Sequence, residues 1–174
     1  MRARGGLTLT ALALAGALVA GCGFTPLYAE PGVSPALAAI AVETPDTRTG
    51  FLLREKLEDA FGRAPGTPSA YRLTTRVSER RYPLGRRSDD TATRYELVLT
   101  VSWQLHDAGG GLLRRDTTRA TTTYAASEQP YAGVVAQQDG EERAAAQAAD
   151  LIRAELARWF AERPQPAPAA APGR

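Results

Sequence analysis

The stretch Arg94–Leu105, RYELVLTVSWQL, puts Tyr95, Leu97, Leu99, Val101, Trp103 and Leu105 on one parity. Successive side chains of a strand point to opposite faces, so this alternation predicts a strand with one buried face. Two neighbouring runs repeat the pattern. From Tyr71 to Tyr82, Tyr71, Leu73, Thr75 and Val77 take one face, while Arg72, Thr74, Arg76, Ser78 and Arg80 take the other. Leu112 to Ala125 is a Thr-rich third run. The glycines of Asp107-Ala108-Gly109-Gly110-Gly111 mark a turn between the last two. The three runs are expected to form an antiparallel meander joined by two hairpins.

A one-sided sheet needs a cover, and the flanking sequence supplies it. Leu37 to Thr44 reads as a short strand ended by Pro45. Thr47 to Phe61 carries Leu53, Leu57, Ala60 and Phe61 at helical spacing, with Gly62 as the stop. Tyr131 to Arg163 carries Ala148, Leu151, Ile152, Leu156, Trp159 and Phe160 on one stripe. Asp139-Gly140 is expected to weaken or kink its first half. The order β-α-β-β-β-α implies an α+β fold, a two-layer sandwich with two helices on one face of a four-stranded, mostly antiparallel sheet. The opposite, Arg-bearing face is left open.

The chain begins with Arg2 and Arg4, an apolar run from Leu7 to Ala20, and Val19-Ala20-Gly21-Cys22. That is the layout of a bacterial lipoprotein signal over residues 1–21, its apolar segment too short to span a bilayer comfortably. Small residues before the cysteine fit the peptidase, and the Cys22 thiol is the expected acceptor of the lipid. Residues 22–35, with Pro26, Pro31 and Pro35, read as an extended lipidated tether of at most roughly 45–50 Å. The folded domain is expected over residues 36–163. The Pro/Ala-rich residues 164–174 are expected to form a disordered or polyproline-like tail.

Of 21 basic residues, Arg2 and Arg4 lie in the signal, which leaves 19 against 19 acidic residues. A mature chain without net charge is no general polyanion binder, and nucleic acid is not an expected partner. The charge is nevertheless uneven: Arg72–Arg119 holds 10 Arg against 6 acidic residues, between two acidic flanks. Cys22 is the lone cysteine, so no intrachain disulfide and no thiolate-built metal site is possible.

Catalytic chemistry finds little support. His106 is the lone histidine and sits beside the glycine turn. Asp89-Asp90 and Glu141-Glu142 are adjacent pairs whose side chains diverge, so neither makes a carboxylate dyad, and the second reads as a helix cap or decoration. No nucleophile elbow, P-loop or dinucleotide fingerprint occurs. The chain is expected to be no enzyme and to need no metal or cofactor beyond the lipid on Cys22.

Two arginine constellations remain. Arg80-Arg81-Tyr82-Pro83-Leu84-Gly85-Arg86-Arg87 is expected in the first hairpin loop, where four guanidiniums flank a small apolar tip. Such a loop suits bidentate capture of phosphate or carboxylate, or insertion into an acidic partner pocket; it equally suits a solvated loop. Arg72, Arg76 and Arg80 share parity on one strand, and Arg115 and Arg119 share parity on another. If both parities face away from the helices, they make a basic stripe; otherwise they are ordinary polar positions of a half-buried sheet.

Cys22-Gly23-Phe24-Thr25-Pro26-Leu27-Tyr28 resembles the mature start of the lipopolysaccharide-assembly lipoprotein family LptE, in its alphaproteobacterial form. The order of elements from Cys22 to Arg163 is similar as well. The resemblance implies a lipid-anchored protein of the outer membrane that plugs an LptD-type β-barrel and assists lipopolysaccharide assembly. Gly23 stands where Asp would favour inner-membrane retention. It also implies lipopolysaccharide contact through basic residues, for which Arg76, Arg80, Arg81, Arg86 and Arg87 are the candidates. The alternative is a periplasmic lipoprotein auxiliary to a lipid-transport ABC system.

Overall fold

The structure, a computed structural model, describes residues 32–86 and 91–163. The signal, Cys22 through Tyr28, Arg87, Asp89-Asp90 and the Pro/Ala tail lie outside the described residues. The elements are α1 (Val33–Ala38), β1 (Ile40–Glu43), α2 (Arg48–Phe61), β2 (Tyr71–Arg86), β3 (Ala92–Asp107), β4 (Leu112–Ala125) and α3 (Pro130–Ala161). The sheet order is β1-β2-β3-β4, with β1 parallel to β2 and the other neighbours antiparallel. The expected α+β sandwich is therefore the observed one, with one short helix added.

That addition corrects the reading of the N-terminal stretch. Val33–Ala38 is helical, not extended tether or strand, and Val33 and Leu37 are both buried. They stand four residues apart, on one face of a helix. Gly32 turns the chain into it at φ 98°, and Pro35 falls in the first turn, where its missing N–H is not needed. The packed domain thus begins before Pro35. Strand β1 is cut to four residues.

Helix α2 starts and stops where its sequence signals lie. The Thr47 hydroxyl accepts from the Gly50 N–H, and Gly62 ends the helix at φ 65°. Its inward residues Leu53, Leu57 and Phe61 are buried. Helix α3 runs unbroken through Asp139-Gly140, against the expected kink. Gly140 is buried where the helix crosses the ring of Tyr124. Along α3, Ala144, Ala145, Ala148 and Ala149 keep the helix close to its neighbours, and Ile152, Leu156 and Phe160 continue the stripe. Leu97, Leu99, Val101, Trp103 and Leu105 complete the core from below, with Trp103 Nε1 donating to Thr118 Oγ1 at 3.0 Å.

The Ala126 N–H bonds to the Thr93 carbonyl, which settles the alternation of the ladder. Odd residues of β3 turn their backbone groups to β4, and even ones turn theirs to β2. Pro83, opposite Tyr95, therefore has its nitrogen on the outer side of β2. β1 pairs no further than Thr74, so that side is an edge, and proline is tolerated there. Gly85 follows with φ 65°. β2 consequently continues through Pro83 and Gly85 to Arg86, which pairs with Ala92. The residues expected to form the first hairpin loop are strand up to Arg86.

Candidate functional site

The register divides the arginines between two faces. Leu73, Thr75 and Val77 pair with Leu105, Trp103 and Val101 on the helix side. Arg72, Arg76 and Arg80 have the opposite parity, and they lie on the open face. On β4, Thr118, Ala120 and Tyr124 are the buried residues, so Arg115 and Arg119 also lie on the open face. The two sets of expected parity are thus on one surface.

Across the sheet, Ser78, Thr100 and Arg119 form one row, and Arg80, Val98 and Thr121 form the next. Two strand spacings and one two-residue step separate Arg80 from Arg119, about 12 Å between Cα atoms. Both side chains are long enough to meet on one ligand between them. Arg72 is engaged by Glu43 at 3.2 Å. Arg76, Arg80, Arg115 and Arg119 are exposed and have no ion pair among the described residues. Tyr82, Val98 and Thr100 line a shallow depression beside Arg80 and Arg119, with Glu96 as the acidic group on its wall. Exposed guanidiniums next to small apolar surface suit an anionic group attached to an apolar body.

Arg81 does something else. Its odd parity sends it to the helix side, where Nη1 donates to Gln137 Oε1 at 2.7 Å. A hydrogen bond to Tyr124 is the main cause that raises its pKa above the ordinary guanidinium value, and Glu79 and Glu141 add to it. Gln137 Nε2 donates to Glu141 Oε1 at 2.7 Å, and Arg48 Nε donates to Glu141 Oε2 at 3.1 Å. Thr49 donates to Glu79 at 3.1 Å. Arg81 thus ties β2 to the helices. Of the expected four-arginine loop, Arg80 and Arg81 stand on opposite faces, and Arg86 is placed by its backbone in β2.

Glu141, one of the pair that reads as a helix cap or decoration, is instead 6% exposed and centres this network. The signal in the sequence is Gln137 four residues earlier, on the same helical face. His106 sits at the end of β3, its Nδ1 3.3 Å from the Gly110 carbonyl. Asp107 Oδ1 accepts from the Gly109 and Gly111 N–H groups at 2.9 and 2.8 Å, which closes the glycine turn. No helix among the described residues is long and apolar enough to cross a membrane.

The fold is shared with solved bacterial lipoproteins. A chain described as a lipoprotein from Caulobacter crescentus CB15 is 40% identical and superposes with a TM-score of 0.69, over 76% of this chain and 98% of that one. Rare lipoprotein B from Shewanella oneidensis is 17% identical, with a TM-score of 0.53 over 70% of this chain and 95% of that one. A lipoprotein B from Nitrosomonas europaea is 14% identical, with a TM-score of 0.54 over 71% and 84%. At such identities the last two speak for the fold alone. No curated protein is significantly similar in sequence. Residues 37–156 match the family model of LptE, lipopolysaccharide-assembly, from the end of α1 through most of α3. The chain therefore belongs to the LptE lipopolysaccharide-assembly family, and its role lies in lipopolysaccharide assembly.

Proposed function

We propose that the protein is a non-enzymatic lipoprotein, anchored through Cys22 on the periplasmic side of the outer membrane. There it plugs an LptD-type β-barrel and presents its open sheet face to lipopolysaccharide. The observation that carries this reading is the set of four exposed arginines without an ion pair among the described residues, Arg76, Arg80, Arg115 and Arg119, on the sheet face opposite the described helices. Exposed guanidiniums with no carboxylate partner can take phosphate bidentately. Membership of a lipopolysaccharide-assembly family supports lipopolysaccharide as the phosphate-bearing ligand of this reading. The lipid on Cys22 holds the chain at the membrane without a spanning helix.

The test is co-purification of the full lipidated chain from membranes in mild detergent. The expected result is a stable complex with a large outer-membrane barrel, and depletion is expected to strand lipopolysaccharide below the cell surface. A monomeric lipoprotein with no barrel, or one held by an inner-membrane ABC system, overturns the reading.

A further inference from the structure

Strand β4 is the sheet's far edge, and most of its outward backbone has no partner among the described residues. The alternation set by the Ala126–Thr93 bond turns the even residues Asp116 through Tyr124 toward β3. It turns the backbone groups of Arg115, Thr117, Arg119, Thr121 and Thr123 outward. Two of these groups are capped from within the chain. The Thr117 N–H donates to Asp116 Oδ1 at 2.6 Å, and the Thr123 carbonyl accepts from Arg143 Nη2 at 3.2 Å. Between the two caps, the N–H and C=O of Arg119 and Thr121 have no hydrogen-bond partner among the described residues. Neither have the Thr117 carbonyl and the Thr123 N–H.

Sheet edges are normally blunted, and the other edge of this sheet is. Beyond β1, the outer side of β2 carries Pro83 and the left-handed Gly85. From Arg114 to Ala125, β4 has no proline and no glycine, and its register shift lies at the far end, at Leu105/His106. The two caps frame an opening about five residues long. That is the geometry of strand addition, in which main-chain bonds supply affinity and flanking side chains choose the partner.

The flanking side chains are Arg115 and Arg119, neither with an ion pair among the described residues, set among threonines. A second copy paired on this edge would gather four such guanidiniums on one face. An acidic strand would instead neutralise them across the pair, so that the seated barrel leaves Arg76 and Arg80 of β2 as the free guanidiniums of the open face. We infer that β4 is a strand-addition site for an extended, acidic segment of the partner barrel, seated against Thr117–Thr123. This rests on the barrel-plug reading above and locates where the barrel grips the plug.

The experiment uses the full lipidated chain co-expressed with its barrel. Thr121→Pro removes one outward N–H and no bond to β3. It is expected to lower the yield of complex at least tenfold, with an unchanged circular dichroism spectrum of the lipoprotein. A photo-crosslinking side chain in place of Thr121 is expected to give a barrel adduct in the otherwise unaltered chain, and one in place of Ser78 is not. An undiminished complex with Thr121→Pro, or a crosslink at Thr121 to a second copy of this chain, overturns the inference while leaving the plug intact. A wild-type chain that brings down no barrel sinks the parent reading instead. Should Thr121→Pro fail to fold, the crosslinks alone decide.

Discussion

Gly140 of α3 lies directly on the ring of Tyr124: a Cβ at this position would come within 3.0 Å of Tyr124 Cδ1. The glycine is a close approach of helix to sheet, and the Thr122 hydroxyl marks the same crossing by donating to the Gly140 carbonyl at 3.0 Å. Alanine in a helix interior normally gains about 1 kcal/mol over glycine. Here that gain is expected to be cancelled by the crowding of Tyr124, and Gly140→Leu is expected to cost about 1–3 kcal/mol. Urea unfolding of the wild-type and variant chains measures both. A stabilised Gly140→Ala would show that Tyr124 yields freely.

The indole of Trp103 is buried, with Thr118 Oγ1 as its acceptor. Thr118→Val keeps the shape and leaves the N–H unpaired, at an expected cost of about 1–3 kcal/mol. Trp103→Phe removes both the donor and part of the core. In the double variant the loss at Thr118 is expected to shrink, because the orphaned donor is gone. Simple additivity in the unfolding free energies would refute the pairing.

Arg80 and Arg81 are neighbours in the chain with opposite fates. Arg76→Ser, Arg80→Ser and Arg119→Ser together are expected to weaken lipopolysaccharide binding at least tenfold. Each alone should alter stability by no more than about 0.5 kcal/mol, as surface changes do. Arg81→Ser is expected to show the reverse, with little loss of binding and a clear loss of stability. It removes the hydrogen bond to Gln137 that ties β2 to α3, at an expected cost of about 0.5–1.5 kcal/mol. Binding to lipopolysaccharide micelles and thermal melting, measured on the triple variant, its three single variants and Arg81→Ser, separate the two roles.

Lys56 Nζ stands 2.8 Å from Glu142 Oε1, joining α2 to α3. This hydrogen bond is the main cause that lowers the Glu142 pKa and raises that of Lys56. The carboxylate's contribution is present above its ordinary value of 4.5 and is lost as the pH falls through the lower folded value. The ammonium's contribution is present below its ordinary value of 10.5 and is lost as the pH rises through the higher folded value. The stability difference between wild type and Glu142→Gln is therefore expected to be flat across neutral pH and to vanish toward the acid end. Unfolding curves taken from pH 7 to pH 3 measure it, and a difference independent of pH would contradict the coupling.

Much of the architecture follows from local periodicity. The parity of Arg94–Leu105 is a property of neighbouring residues, and it names the buried face of β3 without reference to anything distant. The Thr47 cap and the Gly62 stop are equally local, and the helix between them lies where they place it. Pro35 and Pro83 misled for the same reason. A proline argues against helix or strand only when its missing N–H is needed. In the first turn of α1 and on the free edge of β2 it is not.

What the chain alone determined is which residues share a face: Arg72, Arg76 and Arg80 as one set, Arg115 and Arg119 as another. Only the tertiary structure decided that both sets share the same surface, since that depends on the register Ser78–Thr100–Arg119 across three strands. It also decided that Arg81 turns inward to Gln137, that Glu141 is buried at the meeting of two helices, and that the outward backbone of β4 between the caps at Thr117 and Thr123 has no partner among the described residues. Alternation along a strand is set by covalent geometry and is legible in one dimension. Pairing between strands and the capping of their edges join residues far apart in sequence, and only the folded chain brings those groups within bonding distance.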